Sequence, residues 1–412
     1  MQSMSSPVAV TTAEIVPFVL TPDSLAAAFT QARDPRRMAS VTYTLPAMLC
    51  LAVSALLANH RSVLAMAEWG ARQSPDLLRR LGFPDGRTPG QSTLQRLFAK
   101  LDGDALSAAL AAHFGSAAHP VSDASDLQGV AIDGKAQRGR LQYERGGCPV
   151  HALSAFCQTT GVVLAHEPID AGGSADKAEA ELTVAPALIA RIDWHGRVLT
   201  GDALFCQRQL CHQVLDAGGD YLLVVKANQP TLLHALKTLF DPDPASDPLP
   251  LLDRRETRTI EAGHGRSQEV RHLLASTDLS DYLCHELAWP GVAQVFRVER
   301  TWRERGHRKR QVRYGITSVR PDVGSPERLL ALKRGHWGIE NWLHRGKDVV
   351  FGEDQSLTHC GQGATVLALV RDAAISLLYR AGLRQVSACL RDLSQRPDAA
   401  VDLVVETPRT HA

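Results

Sequence analysis

An excess of charge of either sign is missing from this chain. Its 412 residues carry 45 Lys and Arg against 44 Asp and Glu, a formal net charge of +1. A global polycationic signature for nucleic acid is therefore absent, and any basic surface has to be local. Long apolar runs are missing too. The greasiest segment, Leu45 to Ala58, is shorter than the roughly 20 residues that cross a bilayer, so it reads as a buried helix. The opening residues lack a basic region followed by a compact apolar block, which argues against a secretory signal. No cysteine pair is spaced CxxC, and Cys50, Cys148, Cys157, Cys206, Cys211, Cys284, Cys360 and Cys389 are scattered without a disulfide framework. Cys206, Cys211 and His212 could suggest zinc, but Cys and His on one helix are more often buried than ligating. These absences predict a soluble, cytoplasmic protein with no membrane partner.

What is present is ordinary globular material, 44% hydrophobic and 22% charged, enough for two or three units around full cores. Residues 1–30 read as a loose, disordered leader. Residues 31–120 read as helical, punctuated by Gly82, Pro84, Gly86, Pro89 and Gly90. Within them a turn feeds a helix whose exposed face carries Gln91, Gln95 and Arg96, suited to a DNA groove or simply to solvent. Near residue 125 the pattern changes. Strand-like runs at Gly129–Asp133, His151–Gln158 and Gly161–Ile169 precede a helix from Ala175 to Ile192. A strand to Asp202, a helix from Gln207 to Ala217 and a strand at Asp220–Lys226 complete the run. Three antiparallel strands followed by alternating helix and strand predict an α/β layer on the ribonuclease H-like plan.

From about 245 to 320 the alternation stops and strand-like stretches dominate. Between Arg297 and Arg320 the positive residues far outnumber Glu299 and Glu304, with Arg308, Lys309 and Arg310 consecutive. Such density points to phosphate binding. A helix from about Pro326 to Lys347 follows, then an apolar helix from Thr365 to Ala381. The stretch 394–412 reads as a disordered tail.

The chemistry is expected from three acids. Asp133 and Asp202 each end an apolar strand-like run, where an ionised group needs a compensating partner. Glu340 lies on the helix with His336 and His344 at i, i+4 steps, and Lys347 continues that face. Two strand-end aspartates and a helix-borne glutamate fit a site for two Mg²⁺ ions. A rival transition-metal site of His336, Glu340 and His344 leaves both aspartates without a role. The histidines read better as supporting or phosphate-contacting groups.

These residues are arranged in blocks that resemble the DDE transposases of bacterial insertion sequences, in the ISAs-type group with the H-repeat-associated proteins. The blocks include Asp34-Pro35-Arg36-Arg37, Ala67-Glu68-Trp69, Ala131-Ile132-Asp133-Gly134-Lys135, Gly201-Asp202-Ala203-Leu204 and Val225-Lys226-Ala227-Asn228-Gln229. They continue with His264-Gly265-Arg266, Trp289-Pro290-Gly291, Gly335-His336-Trp337-Gly338-Ile339-Glu340-Asn341 and Phe351-Gly352-Glu353-Asp354, covering about residues 34 to 383. The resemblance implies a ribonuclease H-like catalytic domain over 125–383, with a β-rich insertion at about 245–320. It also implies an N-terminal helical DNA-end-binding domain over 31–120. Asp133, Asp202 and Glu340 then correspond to the catalytic and metal-binding acids, using Mg²⁺, with Mn²⁺ able to substitute and two ions per site. Lys135, Lys226 and Lys347 correspond to phosphate-steadying cations, and Arg138, Asn228 and Gln229 join them as candidate DNA contacts. The implied partners are double-stranded DNA, as terminal repeats and target, and a second copy in a homodimer on DNA. The implied place is the cytoplasm, at the nucleoid when DNA is bound.

The chain departs from the family after its Gly-Glu-Asp turn. Leu357, Thr358, His359 and Cys360 stand where arginines are usual, and Asp372 where an asparagine is common. A weaker grip on DNA is expected there. The competing functions are a decayed or domesticated DNA-binding protein and a metal-dependent nuclease that does not join strands.

Overall fold

The computed structural model describes residues 23–37, 41–117, 127–137, 150–169, 177–243, 251–263, 266–305 and 307–406. Its centre is one nine-stranded sheet in the order β3-β2-β1-β4-β5-β9-β8-β7-β6. β1 (Gln128–Gln137), β2 (Val150–Cys157) and β3 (Val163–Ile169) form an antiparallel meander. β4 (Arg197–Gly201) runs parallel to β1 and β5 (Asp220–Val225) parallel to β4. The parallel strands read as unbroken apolar runs because helices cover both faces, and β4 is buried along its whole length.

The strand-rich segment is a continuation of this sheet. β6 (Arg255–Gly263), β7 (Arg266–Ser276), β8 (Gln294–Glu304) and β9 (His307–Thr317) form an antiparallel meander whose last strand pairs with β5, from Leu222↔Thr317 to Val225↔Tyr314. The helix Pro326–Gly335 then crosses the sheet. Its Leu329, Leu330 and Leu332 pack on Val198, Leu222, Leu273, Phe296 and Val298.

The other face supports the helical mass. Leu45–Leu57 starts at a Thr44 cap with Pro46 in its first turn and is apolar all round, so it is buried on every side. It packs against the helices Gly363–Arg380 and Pro397–Val405, inside one continuous apolar cluster with the sheet. The N-terminal helices are thus built into the molecule's main core. Two sequence expectations are corrected here. The leader expected to reach residue 30 contains a short helix, Leu25–Ala28, with Leu25 and Phe29 in the core, while residues 1–22 lie outside the described residues. Of the tail expected over 394–412, residues 407–412 lie outside the described residues, and the described part instead forms the helix Pro397–Val405. Its Ala400, Val401 and Val404 recur at helical spacing and are buried, and Asp402 pairs with Arg80. Among the described residues no helix is long and apolar enough to cross a membrane.

The expected single α-helix from Pro326 to Lys347 also needs correction. The α-helix ends at Gly335, and wide π-turns run over Ile339–His344 and Gly346–Val350. Their five-residue closures include Arg345 N–H to the Glu340 carbonyl and Phe351 N–H to the Gly346 carbonyl. Glu340 is exposed here, while His344 and Lys347 are buried.

Candidate active site

The register of β1 against β4 sets two of the acids side by side. Their last paired residues are Ala131 and Thr200, and Asp133 and Asp202 each lie two residues further on. Side chains two apart share a face of the sheet, so both carboxylates sit at the same edge as Thr200. Gly201 ends β4, and Asp202 caps a short 3-10 turn by accepting from Leu204 N–H at 2.8 Å. The third acid arrives on the π-turns. Gly335 lets the helix settle onto β2 and β4, since a Cβ there would fall 2.1 Å from Gln158 Oε1. Gln158 in turn donates to Thr200 Oγ1 at 2.7 Å.

Asp133, Asp202 and Glu340 line one cavity of about 440 Å³. The same cavity is lined by Lys226, Arg300, Arg313 and Lys333, together with His336 and the exposed Trp337. Asp133, Glu340 and His344 form the tight part, with one potential ligand atom of each lying within 4.8 Å of the others. Burial pushes the Asp133 carboxyl upward, and the neighbouring Glu340 and Glu181 push it further. Its partner Glu340 is held low, chiefly by His344. The two acids are thus pushed in opposite directions, Asp133 up and Glu340 down, as like charges in contact require. Burial lowers both His336, to about 4, and His344. Burial among Arg271, Arg313, Arg300 and Arg334 lowers Lys333 to about 8. A group of carboxylates and a neutral imidazole is a fitting donor set for a hard divalent ion. Cations lining the same cavity suit a phosphodiester.

Against this geometry, two family models match the chain. "Transposase DDE domain" matches residues 124–378, and "DDE_Tnp_1-associated" matches residues 26–114. The chain belongs to the DDE transposase family. It is an enzyme of that type, and the family is generally dependent on divalent metal. This transposase is 28% identical to YncI of Escherichia coli O157:H7 over 84% of each chain. It is 27% identical to YbfL of Escherichia coli strain K12, covering 85% of this chain and 90% of that one. The H repeat-associated protein YhhI of the same strain is 29% identical, over 64% and 68%. Among solved structures, a piggyBac transposase synaptic complex with hairpin DNA aligns at 13% identity and a TM-score of 0.40, over 94% of this chain and 80% of that one. That likeness is too slight to carry an argument.

The remaining residues expected to touch DNA in this transposase fall into three groups. Lys226 lines the cavity and is exposed, and His336 lies 3.5 Å from Thr200 Oγ1 beside it. Arg308 and Lys309 are exposed on β9 at its hairpin end, while Arg310 is held by Glu299 at 2.8 Å. The third group points inward. Lys135 pairs with Asp348 at 2.6 Å and with Glu353 at 3.5 Å. Lys347, 3% exposed, pairs with Asp372 at 2.9 Å and Glu353 at 3.5 Å. Both lysines are corrected from phosphate contacts to internal charges, because buried carboxylates claim them. Asn228 and Gln229 are not turned inward in this way, Asn228 being exposed and Gln229 half-buried. They donate to the Ala203 and Cys206 carbonyls at 2.6 and 3.0 Å, bracing the turn behind Asp202. Arg138 lies outside the described residues. Cys206 and Cys211 are buried thiols and His212 is exposed, so they form no zinc site.

Sequence reasoning missed Lys333 as a cavity residue and saw Arg300 and Arg313 only as part of a basic run. The missing signal was period two along paired strands. β8 and β9 align Arg300 with Gln311 and Val298 with Arg313, which makes the two arginines diagonal neighbours on one face.

Proposed function

We propose that this transposase cuts DNA at the ends of its element and joins the freed 3′-hydroxyl to target DNA, with Asp133, Asp202 and Glu340 as the acids that hold two Mg²⁺ ions. Mn²⁺ would serve in their place. The observation that carries the reading is one cavity lined by three acids from three different parts of the chain and by four cations. The strand order β3-β2-β1-β4-β5, antiparallel and then parallel, supports a ribonuclease H-like core over 125–383.

When bound, the divalent ions activate the attacking oxygen and stabilise the leaving one in an in-line displacement. Lys226, Arg313 and Lys333 hold the phosphodiester against the acids and offset the repulsion between carboxylates and phosphate. Thr200, fixed by Gln158 and contacted by His336, keeps the floor between Asp133 and Asp202 rigid. The helix Gln91–Lys100 buries Leu94, Leu97 and Phe98 and exposes Gln95 and Arg96, which supports end recognition by residues 31–120. Joining needs two ends together, so two copies meet on double-stranded DNA.

The test is a strand-transfer assay on the DNA sequences that flank the gene. Wild type in Mg²⁺ or Mn²⁺ should nick the ends and join them to target. Asp133→Asn should lose both steps while binding ends normally. Ends that stay intact with wild type would reduce the protein to a DNA binder. Nicked ends that never join would make it a nuclease.

A further inference from the structure

Three acids account for the proposed metal site, yet the tight cluster contains a histidine and lacks Asp202. His344 Nδ1 lies 3.5 Å from Asp133 Oδ2 and 3.8 Å from Glu340 Oε2. Its side chain is 8% exposed, and Nε2 has no hydrogen-bond partner. The ring is thus more than nine-tenths buried, and its Nδ1 is aimed between two carboxylates. Both separations exceed the roughly 2.7–3.2 Å of a good N–H···O bond. They fall within the range of separations between donors that share one ion. Two donor atoms bound at about 2.1 Å to one small divalent ion stand about 3 Å apart when adjacent and about 4.2 Å when opposed. Neither tautomer satisfies the ring within the protein. A proton on Nε2 finds no acceptor and leaves the Nδ1 lone pair facing carboxylate oxygens. A proton on Nδ1 is too far from either acid to bond well.

We infer that His344 Nδ1 is a direct ligand of one divalent ion, completing a site with Asp133 and Glu340, while Asp202 serves the other side of the cavity. The π-turns carry both residues, with His344 buried and Glu340 exposed. A nitrogen ligand makes the site softer than an all-oxygen one, so it favours Mn²⁺ over Mg²⁺. The inference rests on the proposed metal-dependent reading of the cavity.

The experiment uses the full chain with Mn²⁺ as the probe. Loss of the free-ion electron paramagnetic resonance signal measures binding, and pulsed measurements detect an imidazole nitrogen bonded to the ion. Wild type should bind Mn²⁺ and show the nitrogen coupling. His344→Gln should abolish the coupling and weaken binding about 10- to 100-fold, the range for disturbed metal sites. His336→Gln, across the cavity, should keep it. Mn²⁺ bound without nitrogen coupling, coupling that survives His344→Gln, or coupling lost in His336→Gln would overturn the assignment and leave the three-acid reading standing. Mn²⁺ that stays free in wild type would overturn both. Should His344→Gln not fold, the wild-type and His336→Gln spectra still decide.

Discussion

Lys347→Met tests whether the charge behind the site is structural. Lys347 Nζ lies 2.9 Å from Asp372 Oδ1 and 3.5 Å from Glu353 Oε1, with all three side chains at most 3% exposed. Around them, His166 Nδ1 is 2.9 Å from Asp372 and Arg371 is 3.4 Å from Glu353. Burial alone would raise Asp372, yet Lys347 and His166 hold it well below the usual carboxylate range. Removing Lys347 leaves Asp372 with His166 alone, and breaking a buried pair from one side costs about 3–5 kcal/mol. Asp372→Asn alone leaves the lysine with Glu353 at 3.5 Å, so a smaller loss is expected. The double variant Lys347→Met/Asp372→Asn removes both charges, and such replacements are often neutral or stabilising. Urea unfolding followed by tryptophan fluorescence should therefore show the double variant more stable than either single one. Additive losses would refute the pairing. End binding gives a second readout. A buried lysine contributes nothing to phosphate contact, so folded Lys347→Met should keep the wild-type salt dependence. A slope reduced by about 1 would return Lys347 to the DNA surface.

Lys333→Met should do what Lys347→Met does not, lowering the salt slope of binding by about 1 and weakening affinity across sequences; an unchanged slope removes Lys333 from the phosphate-binding wall. Gly335→Ala places a Cβ 2.1 Å from Gln158 Oε1, so overpacking of about 1–3 kcal/mol is expected, with restoration by the smaller Gln158→Ala. A neutral Gly335→Ala in thermal unfolding would refute the close approach. For pH, the folded Asp133 carboxyl titrates above its ordinary value of 3.8. The metal-free folded chain therefore holds that proton more tightly than the unfolded chain. Its stability contribution is complete below 3.8 and is lost as pH rises through the higher folded value. Asp133→Asn removes that loss, so without metal it should melt above wild type at pH 8 and close to it at pH 4. A lower melting temperature at pH 8 would contradict the shift.

How much of this was legible in the sequence follows from locality. Asp133 and Asp202 could be read because each ends an apolar run, and the strand and its end are both local features. Glu340 could be placed on a helix for the same reason, but the π-turns could not. Helical periodicity assigns His344 and Lys347 to the face of Glu340, whereas the folded chain buries His344 beside Glu340 at 3.8 Å and turns Lys347 to the interior acids Glu353 and Asp372. Lys135 and Lys347 show the limit for charges. A lysine's identity does not say whether a buried Glu353 or Asp372 waits for it hundreds or tens of residues away. The Asp372 departure is resolved in the same way, since Lys347 meets it at 2.9 Å in the interior, remote from any DNA-facing role. The segment from about 245 to 320 was legible as strand-rich, but its junction with β5 was not. Pairing Leu222 with Thr317 links residues almost a hundred positions apart, and only the folded sheet reveals it.

That junction explains how a site with three carboxylates can accept a phosphodiester. Acids alone would repel the phosphate, and cations placed among them would pair off and neutralise both. Here the two sets of charge arise on different elements. Asp133 lies inside β1, just beyond its pairing with β4, and Asp202 follows β4, whereas Arg300 and Arg313 come from β8 and β9, brought alongside by the β5–β9 pairing. Lys333 enters from the crossing helix. Among the ion pairs of the described residues, none joins Arg313 or Lys333 to Asp133, Asp202 or Glu340, although all line the same cavity. The separation leaves Arg313 and Lys333 unpaired with these carboxylates, while Arg300 is held by Glu269 at 2.8 Å. Continuity of the sheet then fixes the distance between the two sets of charge, because hydrogen-bonded strands lie about 4.8 Å apart and cannot drift as a tethered domain could. On this argument the inserted strands are one side of the reaction chamber, and their removal would leave β5 an open edge and the acids without a counterweight.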